Sequence, residues 1–392
     1  MRRTPARIAW SLSCLLLLTP LAAAEVTRTL EVDLSGEESG AFAIENLAGA
    51  LVVRPGSGER AVATATVHAE STDLADAVRF ERVDGRPGRT TLRVRYPLDE
   101  HRTFRYPAGA GGGLLSRIFG SGGSTTRTSY DGRRVTVSSG RGVLLYADIE
   151  VRLPARPVDA AFSNAAGPMS ANRVEGSFRF DTGSGDVAID EVRGSVEVDT
   201  GSGDVAIEDA AGKVRVETGS GDVSASRVEG TFSCDTGSGD CVVEELRGDR
   251  FDGDTGSGNI TVRSSSVGRI TADTGSGDIS VEQTDLERLR ADTGSGDIDL
   301  STTGERLSEV EADTGSGDVT LRLGPEASFE VIAEQGSGEL VSAYPDARPI
   351  QRDRQLIGYR RGDARIRIRV ETGSGDVRIE PGSASARRSD PK

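Results

Sequence analysis

The chain has 392 residues, among them 50 Gly but only 10 Phe, 6 Tyr and 1 Trp, and a formal net charge of −15. The acidic excess argues against nucleic acid as a partner, whose phosphates it would repel, and against electrostatic docking on anionic lipid. The chain's 2 histidines, His68 and His101, leave little for zinc sites or histidine-based catalysis.

Residues 1–24 carry the three parts of a secretory signal peptide. Arg2, Arg3 and Arg7 form a positive start, Ile8 to Leu21 an apolar run, and Ala22-Ala23-Ala24 a small-residue cleavage site before Glu25. Cys14 sits inside the apolar run, where a lipoprotein signal would not place it, and Arg2-Arg3 lacks the surroundings of a twin-arginine signal. Ordinary Sec export to the periplasm, the cell surface or the medium is therefore expected. No later stretch approaches membrane-spanning length, so no integral span is expected in the mature chain.

Residues 25–160 alternate apolar and polar residues in short runs, as in Ala61 to Val67 and Ile149 to Leu153. A coil-like start is visible at IENLAGALVV from Ile44. This part is predicted as irregular β coils or a β-rich cap that closes the open end of a β-rod formed by residues 161–380. Residues 107–129 read as a flexible Gly/Ser loop.

Residues 161–380 are governed by a repeat. TGSGD occurs verbatim eight times, beginning at Thr182, Thr200, Thr218, Thr236, Thr274, Thr293, Thr314 and Thr372, with variants at Thr255 and Gln335 and a worn copy at Ser163. Spacings run from 18 to 21 residues, then 37 to the last copy. Four residues before each Thr or Gln stands an apolar residue, from Phe178 to Ile368, and five residues after it another, from Val187 to Val377. The alternation around these positions has period two, which makes strands with one buried face. The sequence therefore predicts an all-β parallel β-solenoid of 18–21 residues per coil, right-handed by the usual preference of parallel crossings. Glycines would permit positive φ at the Gly-Ser-Gly reversal and let stacked backbones approach closely. Residues 343–364 form an Arg-rich insertion before the last copy, and residues 381–392 a polar tail.

One surface stands out. The residue before each Thr or Gln is Asp or Glu (Asp181, Asp199, Glu217 through Glu371), and the residue after each Gly-Ser-Gly is Asp186, Asp204, Asp222, Asp240, Asn259, Asp278, Asp297, Asp318, Glu339 or Asp376: nineteen carboxylates along one edge. Turn capping in a solvated face explains them; a ladder of weak Ca²⁺ sites is the sharper alternative. The DTGS string also occurs in aspartic proteases, but those need two Asp turns facing each other across a cleft. Cys234 and Cys241 replace, on either side of one corner, the inward valines of sibling coils, so they are either a disulfide or two small buried thiols. No residue is assigned a catalytic, cofactor-binding or metal-ligating role.

The order of signal peptide, I-x-N-x-x-G start, a V-x-L-P-A segment and many T-G-S-G-D-V coils resembles a bacterial β-strand-repeat family of unknown function labelled "putative adhesin". The resemblance runs from about Glu31 to Pro381. It implies an exported β-solenoid and brings no catalytic residues. The expected function is a non-enzymatic surface scaffold that meets an unidentified component of the cell envelope. The alternatives are a calcium-stabilised acidic rod and a polysaccharide-active β-helix enzyme.

Overall fold

The computed structural model describes residues 25–34, 41–83, 89–107, 125–302 and 305–382. The expected signal peptide, most of the Gly/Ser loop and nearly all of the polar tail lie outside these residues. Among the described residues there are 34 strands and one short helix, and the strands form an 18-stranded and a 16-stranded sheet.

The two sheets are the two sides of the repeat. Strands leading into each Thr, such as Arg193–Thr200, Ala211–Thr218 and Glu229–Thr236, stack in the 16-stranded sheet. Strands leaving each Gly-Ser-Gly, such as Val205–Glu208, Val223–Ser226 and Cys241–Glu244, stack in the other. Pairing is parallel and like meets like: Val196 lies beside Val214, Val214 beside Phe232, and Thr200 beside Thr218 beside Thr236. The apolar residues at both repeat positions are buried without exception, Phe178 to Ile368 on one side and Val187 to Val377 on the other. A period of two puts every second side chain inside, and because the coils are in register, equivalent positions fill one continuous core. Aromatic stacking adds to it where Phe recurs in adjacent coils: the Phe232 and Phe251 rings lie 6.2 Å apart and nearly parallel.

The amino-terminal part begins as another coil. Ala41–Ala48 pairs in parallel with Val158–Ala166, and Leu51–Pro55 with Met169–Asn172. Beyond it the pairing becomes mixed: Thr90–Arg95 still runs parallel to Ala41–Ala48 and Val143–Leu153 parallel to Leu51–Pro55, but Val62–Ala69 lies antiparallel between Val26–Asp33 and Val143–Leu153. Two details depart from expectation. Thr72–Ala77 is a helix, its first turn capped by the Ser71 hydroxyl, which accepts from the Leu74 N–H at 3.3 Å. Residues 125–129 belong to a strand, Thr125–Tyr130, paired antiparallel with Arg133–Ser138. The Thr-rich end of the Gly/Ser segment has β-branched residues that suit a strand, and the strand has a partner two residues away.

At the carboxyl end, chain order and stacking order part company. Glu309–Thr314 pairs not with the next copy of the repeat but with Ile366–Thr372, and Phe329–Gln335 lies on the far side of Ile366–Thr372. The Arg-rich insertion holds an antiparallel hairpin, Arg348–Arg352 with Gln355–Arg361, laid along the outer edge of Phe329–Gln335. That edge would otherwise present unpaired backbone groups to another chain.

Candidate functional site

The Thr-Gly-Ser-Gly-Asp corners form one continuous column, and each residue in them has a distinct task. The Thr side chain points inward and is buried. In the coil of Thr236 its hydroxyl donates to Gly221 O of the preceding coil at 3.2 Å and accepts from the Gly239 N–H of its own coil at 3.0 Å. The same two bonds recur at Thr218, Thr255, Thr274, Thr293, Thr314 and Thr372. At the worn copy Asn164 takes the Thr place and turns its amide to Gly49 O and Gly167 O, at 2.7 and 3.1 Å, leaving the Thr182 hydroxyl beside it without a partner.

The second glycine of each corner is set by stacking and not by an unusual φ. A Cβ on Gly221 would stand 1.9 Å from Gly203 O. Among these corners only Gly338 and Gly167 of the worn copy have a positive φ, so the expectation of left-handed glycines at the reversal is corrected. The left-handed residues lie at the opposite, return corner: Glu191, Asp209, Arg227, Glu245, Ser264 and Gln283, with φ between 49° and 55°.

Both acidic columns face outward, and they are held differently. In the column after the glycines each side chain except the outermost, Glu339, accepts a backbone N–H from the next coil: Asp222 N donates to Asp204 Oδ1 at 3.0 Å and Asp240 N to Asp222 Oδ1 at 2.9 Å. Asn259 fits the same ladder, donating its N–H to Asp240 and accepting from Asp278 N, both at 2.8 Å. An amide oxygen serves as well as a carboxylate, so the column needs an acceptor at each step and not a charge. In the column before Thr the carboxylates stack without such bonds. Burial, then the like charges above and below, raises Asp181, Asp235, Asp273 and Asp313 from their ordinary value. Arginines on the same face supply part of the compensation: Arg179 reaches Glu197 and Asp199, and Arg369 reaches Glu371 and Glu334. An open groove lined by Arg290, Asp292, Glu311, Asp313, Arg369 and Glu371 runs along this face.

The DTGS strings lie side by side in one sheet, Asp181 beside Asp199 and Asp235 beside Asp254, and do not face each other across a cleft. Among the described residues, no three His, Cys, Asp or Glu side chains converge as a metal site would require. Cys234 and Cys241 are buried and unbonded.

Sequence reasoning missed one cluster in the amino-terminal part. His68 Nδ1 lies 2.5 Å from Glu25 Oε1 and Nε2 3.3 Å from Asp148 Oδ2, while its ring stacks on Tyr146 with centroids 4.5 Å apart. The bond to Asp148 is the main cause that raises the His68 pKa above its ordinary value. These residues are far apart in sequence and meet only through antiparallel pairing, so no spacing announces them.

Stacked parallel coils with an apolar interior and a hydrogen-bonded corner column define an all-β repeat protein of the solenoid-like kind. The chain belongs to the Toastrack family, DUF4097, a domain of unknown function, whose model matches residues 135–231 and 210–380 and so more than half of the chain. Solved structures with some likeness are a Parabacteroides distasonis protein described as a "putative lipid binding protein" (13% identity, TM-score 0.34, covering 90% of this chain and 96% of that one) and a Bacteroides fragilis protein described as a "putative adhesin" (10%, 0.28, 91% and 97%). A third is a Clostridium sporogenes protein described as a "putative cell adhesion protein" (10%, 0.18, 91% and 100%). At TM-scores of this size these matches fix neither fold nor function. No curated protein matches the chain by sequence. No helix among the described residues is long and apolar enough to cross a membrane.

Proposed function

We propose that the protein is an exported, non-enzymatic β-solenoid, wound right-handed with 18–21 residues per coil, that serves as an adhesin-like interaction surface at the cell envelope. The observation that carries this reading is the contrast between inside and outside. Apolar side chains fill the space between the sheets, while the outward positions form long regular columns of Asp, Glu and Arg. Such a body has an extended, charged, repetitive face to offer, and Val341 is its one exposed large apolar residue among those described. A ligand would meet it along the face and through polar contacts.

Less supports the alternatives. For a calcium-stabilised rod the ladder carboxylates would have to be free to converge on an ion, yet each step already spends an oxygen on a backbone N–H. A polysaccharide-active enzyme wants aromatics on its surface, and the Phe side chains of the coils are buried.

The test is retention of the labelled, folded protein on envelope fragments from its own host. Saturable retention that weakens as salt rises is expected. A folded protein that binds no envelope component at any salt concentration would refute the reading.

A further inference from the structure

One coil carries sulfur on both sides of its corner. Cys234 is the inward residue just before Thr236 in the strand Glu229–Thr236, and Cys241 opens the inward row of Cys241–Glu244, with the corner Thr236–Asp240 between them. Their neighbours in the preceding coil are Val216 and Val223, and in the following coil Gly253 and Ile260. Both cysteines are buried, at 1% and 0% exposure.

The following coil measures the gap. A Cβ built on Gly253 falls 3.3 Å from Ile260 Cγ2, so these two positions face each other across the core at nearly the spacing from Cβ to partner γ atom. A disulfide asks for a Cβ about 3 Å from its partner's sulfur. The registers Cys234 with Gly253 and Cys241 with Ile260 carry that spacing over to the cysteine coil. Burial, and next the Cys234 thiol, push the Cys241 thiol well above its ordinary range. A folded, reduced pair is therefore slow to react, and closure belongs to the stage at which the coil is still open.

We propose that Cys234 and Cys241 are a disulfide site, closed during folding by exchange with a small disulfide oxidant, and that the bond staples one corner of the column. One cysteine thiolate attacks the oxidant's S–S bond, giving a mixed disulfide and one released thiol. The other cysteine thiolate then displaces the second oxidant sulfur. The two cysteines lose two protons and two electrons, and the oxidant leaves as two thiols. The inference does not depend on export, since the oxidant can be supplied.

The experiment unfolds the full chain, refolds one portion with oxidised glutathione and another with reductant alone, then alkylates each under denaturing conditions and maps the peptides. A linked Cys234–Cys241 peptide with neither sulfur alkylated is expected from the first, and both Cys234 and Cys241 alkylated from the second. Loss of the bond should lower the melting temperature by roughly 5 °C. C234V/C241V, which installs the residues of the preceding coil, should fold and melt independently of reductant. Cysteines that are alkylated, or that each retain glutathione, in protein refolded with the oxidant and showing the folded β spectrum would overturn the proposal. So would a wild-type melting temperature indifferent to reductant.

Discussion

Replacing Gly221 by Ala tests the stacking of the corners most directly. The added Cβ would meet Gly203 O at 1.9 Å and Gly203 C at 2.5 Å, where real Cβ atoms essentially never come within 3.0 Å. The obstacle is backbone and cannot rotate away, so one coil must retreat from the other by about 1 Å out of a spacing of about 4.8 Å. That shift stretches the bonds that cross this junction, from the Thr218 hydroxyl to Gly203 O (3.4 Å) and from the Val205 N–H to Asp222 O (2.9 Å). Two buried hydrogen bonds lost, with their partners left dry, amount to about 3–5 kcal/mol. Ser220 is exposed between the same glycines, and Ser220→Ala should stay within about 0.5 kcal/mol of wild type. Denaturant unfolding followed by circular dichroism measures both variants. Native-state hydrogen exchange of the neighbouring amides shows whether the loss is local, as stacked repeats allow. A Gly221→Ala protein no less stable than Ser220→Ala would refute the reasoning.

Four further outcomes are expected. Thr218→Val keeps the shape but removes both hydroxyl bonds and should cost about 2–3 kcal/mol, whereas Thr182→Val, whose hydroxyl has no partner, should cost far less in the same unfolding assay. Asp222→Asn should be neutral and Asp222→Ala should lose about 1 kcal/mol, because the ladder uses an acceptor oxygen; equal losses in the two variants would show that charge matters after all. EDTA or added Ca²⁺ should leave the melting temperature unchanged, since no cluster among the described residues is arranged for a metal. Asp273→Asn should stabilise the protein at neutral pH. The raised folded-state pKa of Asp273 means that the native state binds the proton more tightly, so its contribution is fully favourable below the ordinary 3.8 and is lost as pH rises through the raised value. The advantage of the Asn variant should therefore shrink as pH falls through that window, and a pH-independent difference would contradict the assignment.

The coils were legible because period and register repeat the same information ten times over. Any one alternation around Val196 or Ile279 is weak evidence for a strand, but apolar residues at one fixed offset from every Thr leave a single inward face. The acceptor ladder was half visible: its chemistry could be guessed from Asp beside Gly, while the tolerance of Asn259 needed the bond to Asp278 N to explain it. The glycine argument was right about close approach and wrong about φ, since sequence alone does not say which of the two makes a glycine necessary. The His68 cluster and the antiparallel pairing of Val62–Ala69 depend on contacts between segments that share no repeat, and nothing local encodes them. The rung order at the carboxyl end was hidden for a related reason. The Gln335 copy and the Thr372 copy have equivalent patterns, and only the hairpin of 348–361 decides which lies outermost.

That exchanged order bears on how the molecule is completed. The strand Ile366–Thr372 is the late arrival, yet it sits between two earlier ones, Glu309–Thr314 and Phe329–Gln335, and Val377–Pro381 likewise separates Val319–Leu323 from Leu340–Ser342. A chain emerging from its amino terminus can zip up coil after coil only as far as Leu323. From there the strands Phe329–Gln335 and Leu340–Ser342 gain their parallel neighbours only once the closing residues are in place as a keystone, so shortening the protein by as few as its final two strands would unseat the outermost coil along with them.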